Sequence, residues 1–384
     1  MITLARRVHL RRSTVNREAP ASIAYYITAH GYGHGVRSCS IINAFADRWP
    51  DIPVAIISDL PESFLRNRLA SDRHVIRAAS FDVGMVQLDS IRVDVRATLT
   101  EAATIHARGE TLIAGERRVF DEENIGMVVA DIPALPIEAA YRHGLPRLAV
   151  GNFAWNWIYS AFVEQDPRWK DIVEQLEEGY GKTDLLLRLP FSEEMKIFPR
   201  VEDLPLVAEP GCSRRDDIAA LTGADPGKKW ILLSFTTLEW DEAALGHVSG
   251  LRDYEFFTVK PLQWAWDNLF PIDRDEVPFI DVIATCDAVV SKPGFGILSE
   301  CVVNRKPLVH VEREDFIEYP ILLRAVQTYL KHCYLPADHL YRGELEKALA
   351  SVWDAPEPTA SLSRGGARVA AQRMAECWSR SPRA

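Results

Sequence analysis

Residues 288–302 read Ala-Val-Val-Ser-Lys-Pro-Gly-Phe-Gly-Ile-Leu-Ser-Glu-Cys-Val. The apolar run at 288–291 is typical of a buried strand, and the glycine turn after it is followed by apolar residues at 297, 298, 301 and 302. This spacing predicts a helix that packs one apolar face on a sheet. Strand, glycine turn and helix together make one βα unit of a parallel sheet.

The start of this helix is predicted to bind a diphosphate. Gly294 and Gly296, on either side of Phe295, allow the backbone to approach a ligand closely. The free N–H groups and the dipole of the helix favour an anion there, and Lys292 adds a positive charge. Glu300, one turn further on, can accept hydrogen bonds from ribose hydroxyls. The alternative is that Lys292 and Glu300 are a solvated pair at a helix start.

An acidic segment follows the next strand, at 308–311, and therefore reaches the same edge of the sheet. Its carboxylates Asp315 and Glu318 can accept hydrogen bonds from sugar hydroxyls. On spacing alone an ordinary acidic loop fits equally well. Proximity to the glycine turn favours a role in binding the donor.

A second glycine turn lies near the beginning of the chain, where a strand at 23–28 runs into Ala29-His-Gly-Tyr-Gly-His-Gly35 and then a helix. Gly33 and Gly35 are predicted to open the crevice at the carboxyl end of this strand to a ligand, and a histidine in such a turn points into it. Arg37, in the helix, is a second candidate for a phosphate contact. The alternative is a structural glycine turn with solvated histidines.

Short apolar runs alternate with helical patterns along the whole chain, as in βα units around parallel sheets. The runs lie at 23–28, 53–58, 127–130, 146–150, 230–235, 255–259, 288–291, 308–311 and 333–335. A chain of 384 residues exceeds the size at which single cores stop growing, so two tandem α/β domains are expected.

Residues 208–217 interrupt the apolar pattern with proline, glycine and mixed charges and mark the linker, whose boundary falls between 195 and 228. We predict a disordered basic leader over 1–20, an N-terminal Rossmann-like domain over 21–207 and a C-terminal one over 208–378. A last helix is expected at 365–378, followed by a frayed tail over 379–384.

The formal net charge of −10 argues against a nonspecific nucleic-acid binder, which needs a basic face. The six cysteines are scattered without metal-ligand spacing, so we expect reduced thiols, no metal site and a cytoplasmic location. No run approaches the length needed to cross a bilayer, and the start has no apolar secretory signal.

Four ordered motifs resemble the glycosyltransferase-like N-terminal region of plant L-arabinokinases and its free-standing bacterial relatives. The likeness covers about residues 22–350. The motifs are Tyr26-Ile-Thr-Ala-His-Gly-Tyr-Gly-His-Gly35 with Arg37, Asp82-Val-Gly-Met-Val-Gln-Leu-Asp89, Asn152-Phe-Ala-Trp-Asn-Trp-Ile-Tyr159 and Lys292-Pro-Gly-Phe-Gly-Ile-Leu-Ser-Glu300. More distantly, the two glycine turns are similar to those of the peptidoglycan N-acetylglucosaminyltransferase.

The resemblance implies the GT-B architecture, in which two Rossmann-like parallel-sheet domains face a cleft. It places the acceptor on the N-terminal domain and the nucleotide sugar on the C-terminal one. It implies His34 as the catalytic base, with His30 as the second candidate, a diphosphate at Gly294 to Gly296 and a ribose at Glu300. The kinase activity of the arabinokinases belongs to a separate C-terminal domain, so arabinose phosphorylation is not expected of these residues.

Polar and aromatic residues at two further strand ends are candidates for the acceptor side. Trp155 offers a face on which a sugar can stack, and Asn152 and Asn156 offer polar contacts. Core packing is the equally weighted alternative for the tryptophan. Asp131 ends the run at 127–130, and a helix N-cap is its alternative role.

The leading hypothesis from the sequence is inverting, metal-independent transfer of a sugar from a nucleoside diphosphate to a hydroxyl acceptor, without a cofactor. The rivals are a nucleotide-sugar epimerase or hydrolase and a non-catalytic sugar-nucleotide-binding module. Base, sugar and acceptor depend on loop shapes that motifs do not fix. The oligomeric state is likewise open.

Overall fold

A computed structural model describes residues 21–264, 266–313 and 316–384. Within these residues the chain forms two parallel sheets, each flanked by helices, as the alternating pattern predicts. The predicted leader at 1–20 lies outside the described residues.

The first sheet has seven parallel strands and the order β3-β2-β1-β4-β5-β6-β7. Its strands are β1 Ser22–Ile27, β2 Val54–Ile57, β3 Val75–Arg77, β4 Ile125–Asp131, β5 Arg147–Gly151, β6 Leu185–Arg188 and β7 Val201–Asp203. Its helices are α1 Tyr32–Arg48, α2 Glu62–Arg66, α3 Val95–Ala107, α4 Gly109–Glu122, α5 Ala134–His143, α6 Trp155–Ser160 and α7 Arg168–Tyr180.

The second sheet has six parallel strands and the order β10-β9-β8-β11-β12-β13. Its strands are β8 Lys229–Ser234, β9 Tyr254–Val259, β10 Leu269–Ile272, β11 Ala288–Ser291, β12 Leu308–Val311 and β13 His332–Leu335. The remaining helices are α8 Arg215–Thr222, α9 Glu242–Ser249, α10 Phe279–Thr285, α11 Phe295–Asn304, α12 Tyr319–Tyr329, α13 Ala337–Tyr341, α14 Glu346–Asp354 and α15 Gly366–Trp378.

Both sheets reverse their strand order at one point, between β1 and β4 in the first and between β8 and β11 in the second. In open α/β sheets, ligands bind outside the carboxyl ends of the strands at such a switch point. The two predicted glycine turns follow β1 and β11, so each lies at the switch point of its own sheet.

The last helix packs on the first domain, which differs from the predicted domain boundary. α15 was expected in the C-terminal domain, but Ala370, Met374 and Trp378 are buried in a core cluster of the first sheet. The chain therefore crosses back to the first domain after α14. The sequence shows the apolar face of this helix but not which sheet covers it.

The tail is also more ordered than the predicted frayed end. The hydroxyl of Ser381 donates to the carbonyl of Gly126 at 2.7 Å. Arg383 donates to the carbonyls of Phe120 and Ile125 at 2.7 and 3.0 Å. These bonds fix residues 381–383 against β4 and α4, because they occupy carbonyls at the start of the strand and the end of the helix.

Each domain sends a buried apolar side chain into the core of the other. Phe316, from the second domain, is 8% exposed and packs in a core cluster of the first. Ile91, from the first domain, is 3% exposed and packs in a core cluster of the second. Ile91 is carried by the cross-domain hairpin, residues 86–94, whose Ser90 hydroxyl accepts the N–H of Thr237 at 2.9 Å.

Replacing Ile91 tests the cross-domain hairpin. Ile91→Ala should lower the free energy of unfolding by about 2 kcal/mol or more, because it leaves a cavity in a core that the hairpin fills. Leu88→Ala is the matched control, since Leu88 lies on the same hairpin but is 60% exposed and should change stability by about 0.5 kcal/mol at most. Urea denaturation followed by tryptophan fluorescence measures both, and equal effects would contradict the anchoring role of Ile91.

His310 on β12 makes stability depend on pH. It is 3% exposed, its Nδ1 has no hydrogen-bond partner in the part of the chain that the structure describes, and burial together with His332 lowers its pKa from 6.5 to about 4. The unfolded chain therefore takes up a proton at His310 as the pH falls through this window, whereas the folded chain does not. Stability must decrease with acidification between the two pKa values.

The expected loss from His310 is about 2 kcal/mol between about pH 8 and about pH 5. His310→Leu should flatten the dependence of the free energy of unfolding on pH, whatever its effect on absolute stability. Urea unfolding at a series of pH values measures this slope. A slope unchanged in His310→Leu would show that other groups carry the acid sensitivity.

Candidate functional site

The two glycine turns meet across the cleft between the sheets. A Cβ atom on Gly296 would lie 3.6 Å from the Cα of Gly33, so the two backbones are in direct contact. Beside them the ring of Phe295 stacks on that of Phe153, with centroids 5.5 Å apart. The N-terminal ends of α1 and α11 therefore face the same crevice, as the sequence predicts.

Gly35, predicted to face this crevice, does not. A Cβ atom there would lie 2.6 Å from Phe64 and 2.7 Å from Leu60. The absence of a side chain lets α1 pack closely against the segment that holds α2. Gly35 therefore has a packing role in the first domain.

His34 and Asp131 form a buried pair at the switch point of the first sheet. The Nδ1 of His34 lies 2.8 Å from Oδ1 of Asp131, which is fully buried. Arg37 donates from Nε and Nη2 to both carboxylate oxygens of Asp131, at 2.7 and 2.6 Å, and Ser38 donates to Oδ2 at 2.8 Å. Asp131 thus joins the base candidate to the phosphate candidate Arg37, rather than facing an acceptor.

These contacts set the charges of the pair. Burial alone would raise the pKa of Asp131, but Arg37 and His34 hold it well below its usual range. Burial and Arg37 lower the pKa of His34, against the opposing effect of Asp131. The imidazole is therefore neutral at neutral pH, with Asp131 ionised beside its Nδ1.

His30 has a different hydrogen-bonding pattern. Its Nδ1 accepts the N–H of Met85 at 3.1 Å, which leaves the ring proton on Nε2. Burial lowers the pKa of His30 to about 3, and the nearby Arg313 and Lys292 act in the same direction. His30 is therefore a neutral donor at Nε2, whereas His34 has the carboxylate partner typical of a base.

Trp155 corrects another expectation, because it is 1% exposed and offers no free face to a sugar. Its Nε1 donates to Asp82 at 2.9 Å, and its ring makes an edge contact with His30. Thr28 donates to the other oxygen of Asp82 at 2.8 Å. Trp155 therefore fixes Asp82 and His30 from behind.

The two asparagines have different surroundings. Asn152 accepts a hydrogen bond from Arg37 at its Oδ1 and so belongs to the His34 cluster. Asn156 is 9% exposed, and its Nδ2 lies 3.4 Å from Glu177. It lines an outer groove with Trp157, away from the glycine turns.

A cavity of about 260 Å³ lies between α1, α11 and residues 206–210, which lead into the linker. Six of the predicted site residues line it, namely Gly33, Arg37, Asn152, Phe295, Gly296 and Glu300. Burial raises the pKa of Glu300 to about 7. The cavity is too small for a whole nucleotide sugar. Its wall includes the carboxyl group of Glu300, one turn into α11, which can accept a hydrogen bond.

Lys292 and Arg313 lie close enough to each other and to His30 to interact electrostatically. Burial lowers the pKa of Lys292 to about 7, and the adjacent Arg313 contributes. The Nε of Arg313 and the Oε2 of Glu318 are buried without a hydrogen-bond partner among the described residues. Lys292 and Glu318 thus lie together, as predicted, whereas Asp315 lies outside the described residues.

Sequence reasoning did not single out Arg313 or Asp82 as site residues. Arg313 lies in the predicted acidic segment, of which only the carboxylates were considered as ligands of a sugar. Asp82 begins one of the four motifs, and burial raises its pKa to about 6. A signal existed in both cases, since each lies just after a strand or within a quoted motif.

Solved structures identify the fold as GT-B. A UDP-glucosyltransferase from Polygonum tinctorium has a TM-score of 0.61 with 14% identity, and covers 94% of this chain and 99% of its own. UGT2 of Phytolacca americana, complexed with UDP-2-fluoro-glucose and pterostilbene, has a TM-score of 0.60 with 13% identity, covering 94% and 100%. The spinosyn rhamnosyltransferase SpnG has a TM-score of 0.57 with 13% identity, covering 94% and 97%.

The predicted resemblance to L-arabinokinases is also confirmed. The chain is 28% identical over 325 residues to the L-arabinokinase of Arabidopsis thaliana. This alignment covers 80% of the chain but only 30% of the length of that protein. No family model matches the chain.

None of the helices in the described ranges is both long and apolar enough to span a membrane.

Proposed function

We propose that this protein transfers a sugar from a nucleoside diphosphate donor to a hydroxyl acceptor, with inversion and without a metal ion. The observation that carries the proposal is the meeting of His34 and its carboxylate partner Asp131 with the N-terminus of α11 across one cleft. A base on one domain and an anion site on the other are the two parts that such a reaction needs.

The donor half of the proposal rests on α11. The first amides of a helix have no intrahelical acceptor. In α11 the first N–H to donate to a carbonyl four residues back is that of Leu298, which bonds to Gly294 at 3.0 Å. A diphosphate placed there would be met by these amides, with Lys292 on one flank. Glu300 would then accept hydrogen bonds from the ribose hydroxyls at the edge of the cavity.

The acceptor half rests on His34. In the tautomer in which Nδ1 donates its proton to Asp131, Nε2 of His34 is the atom that takes a proton from an acceptor hydroxyl. Charge that develops on the leaving diphosphate would be stabilised by Lys292, Arg313 and the dipole of α11, which fill the role that a metal ion has in other transferases.

A non-catalytic sugar-nucleotide-binding module is the second candidate. The observation that favours it is the pairing of both Asp131 oxygens with Arg37, which weakens the carboxylate as a partner for an imidazolium. A nucleotide-sugar epimerase or hydrolase would use the same donor site. Incubating donors without acceptor and assaying free sugar and isomers separates these reactions from transfer.

A thermal-shift screen of nucleotides and nucleotide sugars tests the proposal. A ligand at 100 times its Kd should stabilise the fold by about 2.7 kcal/mol. A nucleoside diphosphate or its sugar is expected to raise Tm, and turnover of that donor with an acceptor library then tests transfer. No response to any nucleotide would overturn the donor site, and binding without turnover would favour the module.

Glu300 provides the matched test of the nucleotide site. Glu300→Ala should weaken nucleotide affinity by about tenfold, because a buried ribose hydroxyl left without its hydrogen-bond acceptor costs about 1 to 3 kcal/mol. Glu312→Ala is the control, since Glu312 follows β12 and its carboxylate accepts the N–H of Ala337 at 3.0 Å, outside the cavity. Calorimetric titration measures both, and an unchanged affinity in Glu300→Ala would contradict the ribose contact.

A further inference from the structure

Two arginines from opposite domains, Arg68 and Arg274, interact electrostatically with Glu300. Arg68 follows α2 in the first domain, and Arg274 follows β10 in the second. Among the described residues neither guanidinium is within salt-bridge distance of a carboxylate, and the Nε of Arg274 is buried with no hydrogen-bond partner.

Aromatic rings hold these guanidinium groups in place across the domain boundary. Arg68 lies over the ring of Phe64 at 4.3 Å, and Phe64 contacts Tyr32 with centroids 4.6 Å apart. Arg274 lies between Tyr32 and Phe279, at 5.4 and 5.0 Å from their ring centres. The result is a continuous ladder of rings and guanidinium groups from one domain to the other.

The backbone under both arginines is fixed as well. The carbonyl of Arg68 accepts a hydrogen bond from Asn43 at 2.8 Å. The residues next in the chain join the domains directly, because Asn67 donates to Asp275 at 3.2 Å. The two cations are thus held near each other by their neighbours and not by mutual attraction.

Two like charges held in this way repel each other. Burial lowers the pKa of Arg68, and burial with the charge of Arg68 lowers the pKa of Arg274. Such an arrangement costs folding free energy unless an anion lies between the groups. Guanidinium groups match phosphate oxygens in geometry and charge, and form charge-assisted hydrogen bonds with them.

We propose that Arg68 and Arg274 form a phosphate clamp that binds a phosphate group of the ligand between the two domains, on the Glu300 side of the cleft. The clamp deepens the proposed function, because a phosphate there would lie near the ribose that Glu300 is proposed to bind. It requires only a phosphate oxyanion, which either the diphosphate or a ribose-borne phosphate supplies.

The test uses the full chain with inorganic pyrophosphate, UDP, GDP, ADP and adenosine 3′,5′-bisphosphate as probes. Arg68→Met and Arg274→Met should each lower the affinity for every probe that binds the wild-type protein by about tenfold or more. The double variant should lose little more affinity than either single variant, because both guanidinium groups must bind the same phosphate. Without ligand, both variants should melt at the wild-type Tm or above it, since a repulsion has been removed.

Arg48→Met is the matched control, because Arg48 also lies over an aromatic ring, Trp49, at 4.9 Å but at the far end of α1. Wild-type affinity in Arg68→Met or Arg274→Met, a lower Tm without ligand, or no binding of any probe would overturn the clamp. Tighter binding of the bisphosphate than of ADP, lost in the variants, would assign the phosphate to the ribose; equal binding would assign it to the diphosphate.

These outcomes separate the clamp from the proposed function. Nucleotide binding and sugar transfer that do not depend on the two arginines would keep the function and remove the clamp. Arginine-dependent binding of pyrophosphate without any preference for nucleotides would keep the clamp and remove the nucleotide site.

Discussion

His34→Ala is expected to lower kcat for sugar transfer by about 10² to 10⁴-fold, the usual contribution of a general base, and to leave nucleotide affinity nearly unchanged. The reason is positional, since His34 pairs with Asp131 on the first domain whereas the proposed donor site lies on the second. Steady-state kinetics with the donor found by the thermal-shift screen measures kcat, and calorimetry measures affinity.

His339→Ala is the control for this variant, because His339 is on α13 and its side chain is 42% exposed. Since burial and Arg37 lower the pKa of His34, the acid limb of the wild-type pH–rate profile should lie below the ordinary histidine pKa of about 6.5. Full turnover in His34→Ala would remove His34 as the base. His30 would then be tested in its place.

Asp131→Ala is expected to lower the free energy of unfolding by about 3 to 5 kcal/mol, the cost of leaving one partner of a buried ion pair uncompensated. Arg37 is 13% exposed at its side chain and directs two hydrogen bonds at Asp131. The double variant Arg37→Met/Asp131→Ala should recover part of this loss, because it removes the stranded charge. Denaturant unfolding at neutral pH measures the free energy of unfolding of the wild type, the single variant and the double variant.

Asp203→Ala is the matched control, since Asp203 pairs with Arg188 but its side chain is 72% exposed. A surface pair of this kind contributes about 1 kcal/mol at most. If Asp131→Ala cost no more than Asp203→Ala, the buried network around Asp131 would not be a determinant of stability.

The central strands could be predicted because they are buried on both faces. Runs such as 288–291 and 308–311 are apolar apart from Ser291 and His310, are buried throughout, and match β11 and β12 residue for residue. The edge strands β3, β7 and β10 were missed, because they are only three or four residues long and are mostly exposed or half-buried. β6 was missed although it is buried, since its short run lies directly between a turn and a proline.

Membership of the site was easier to predict than pairing within it. His34, Asp131 and Gly296 could be assigned to one cleft because they end or follow central strands, whereas Gly35, Trp155 and Asn156, on the helices after such strands, pack elsewhere. That Asp131 contacts His34 and Arg37 depends on which face of α1 turns to β4, which spacing does not define. The burial of Trp155 likewise depends on tertiary packing.

Hydrogen exchange at the amides of Phe295, Gly296 and Ile297 is the most direct test of a nucleotide diphosphate at the start of α11. These amides lie before the first intrahelical bond, so they should exchange readily in the free protein and be protected when a nucleoside diphosphate or its sugar is bound. Binding of a nucleotide with no change in the exchange of these amides would contradict a diphosphate site at the start of α11.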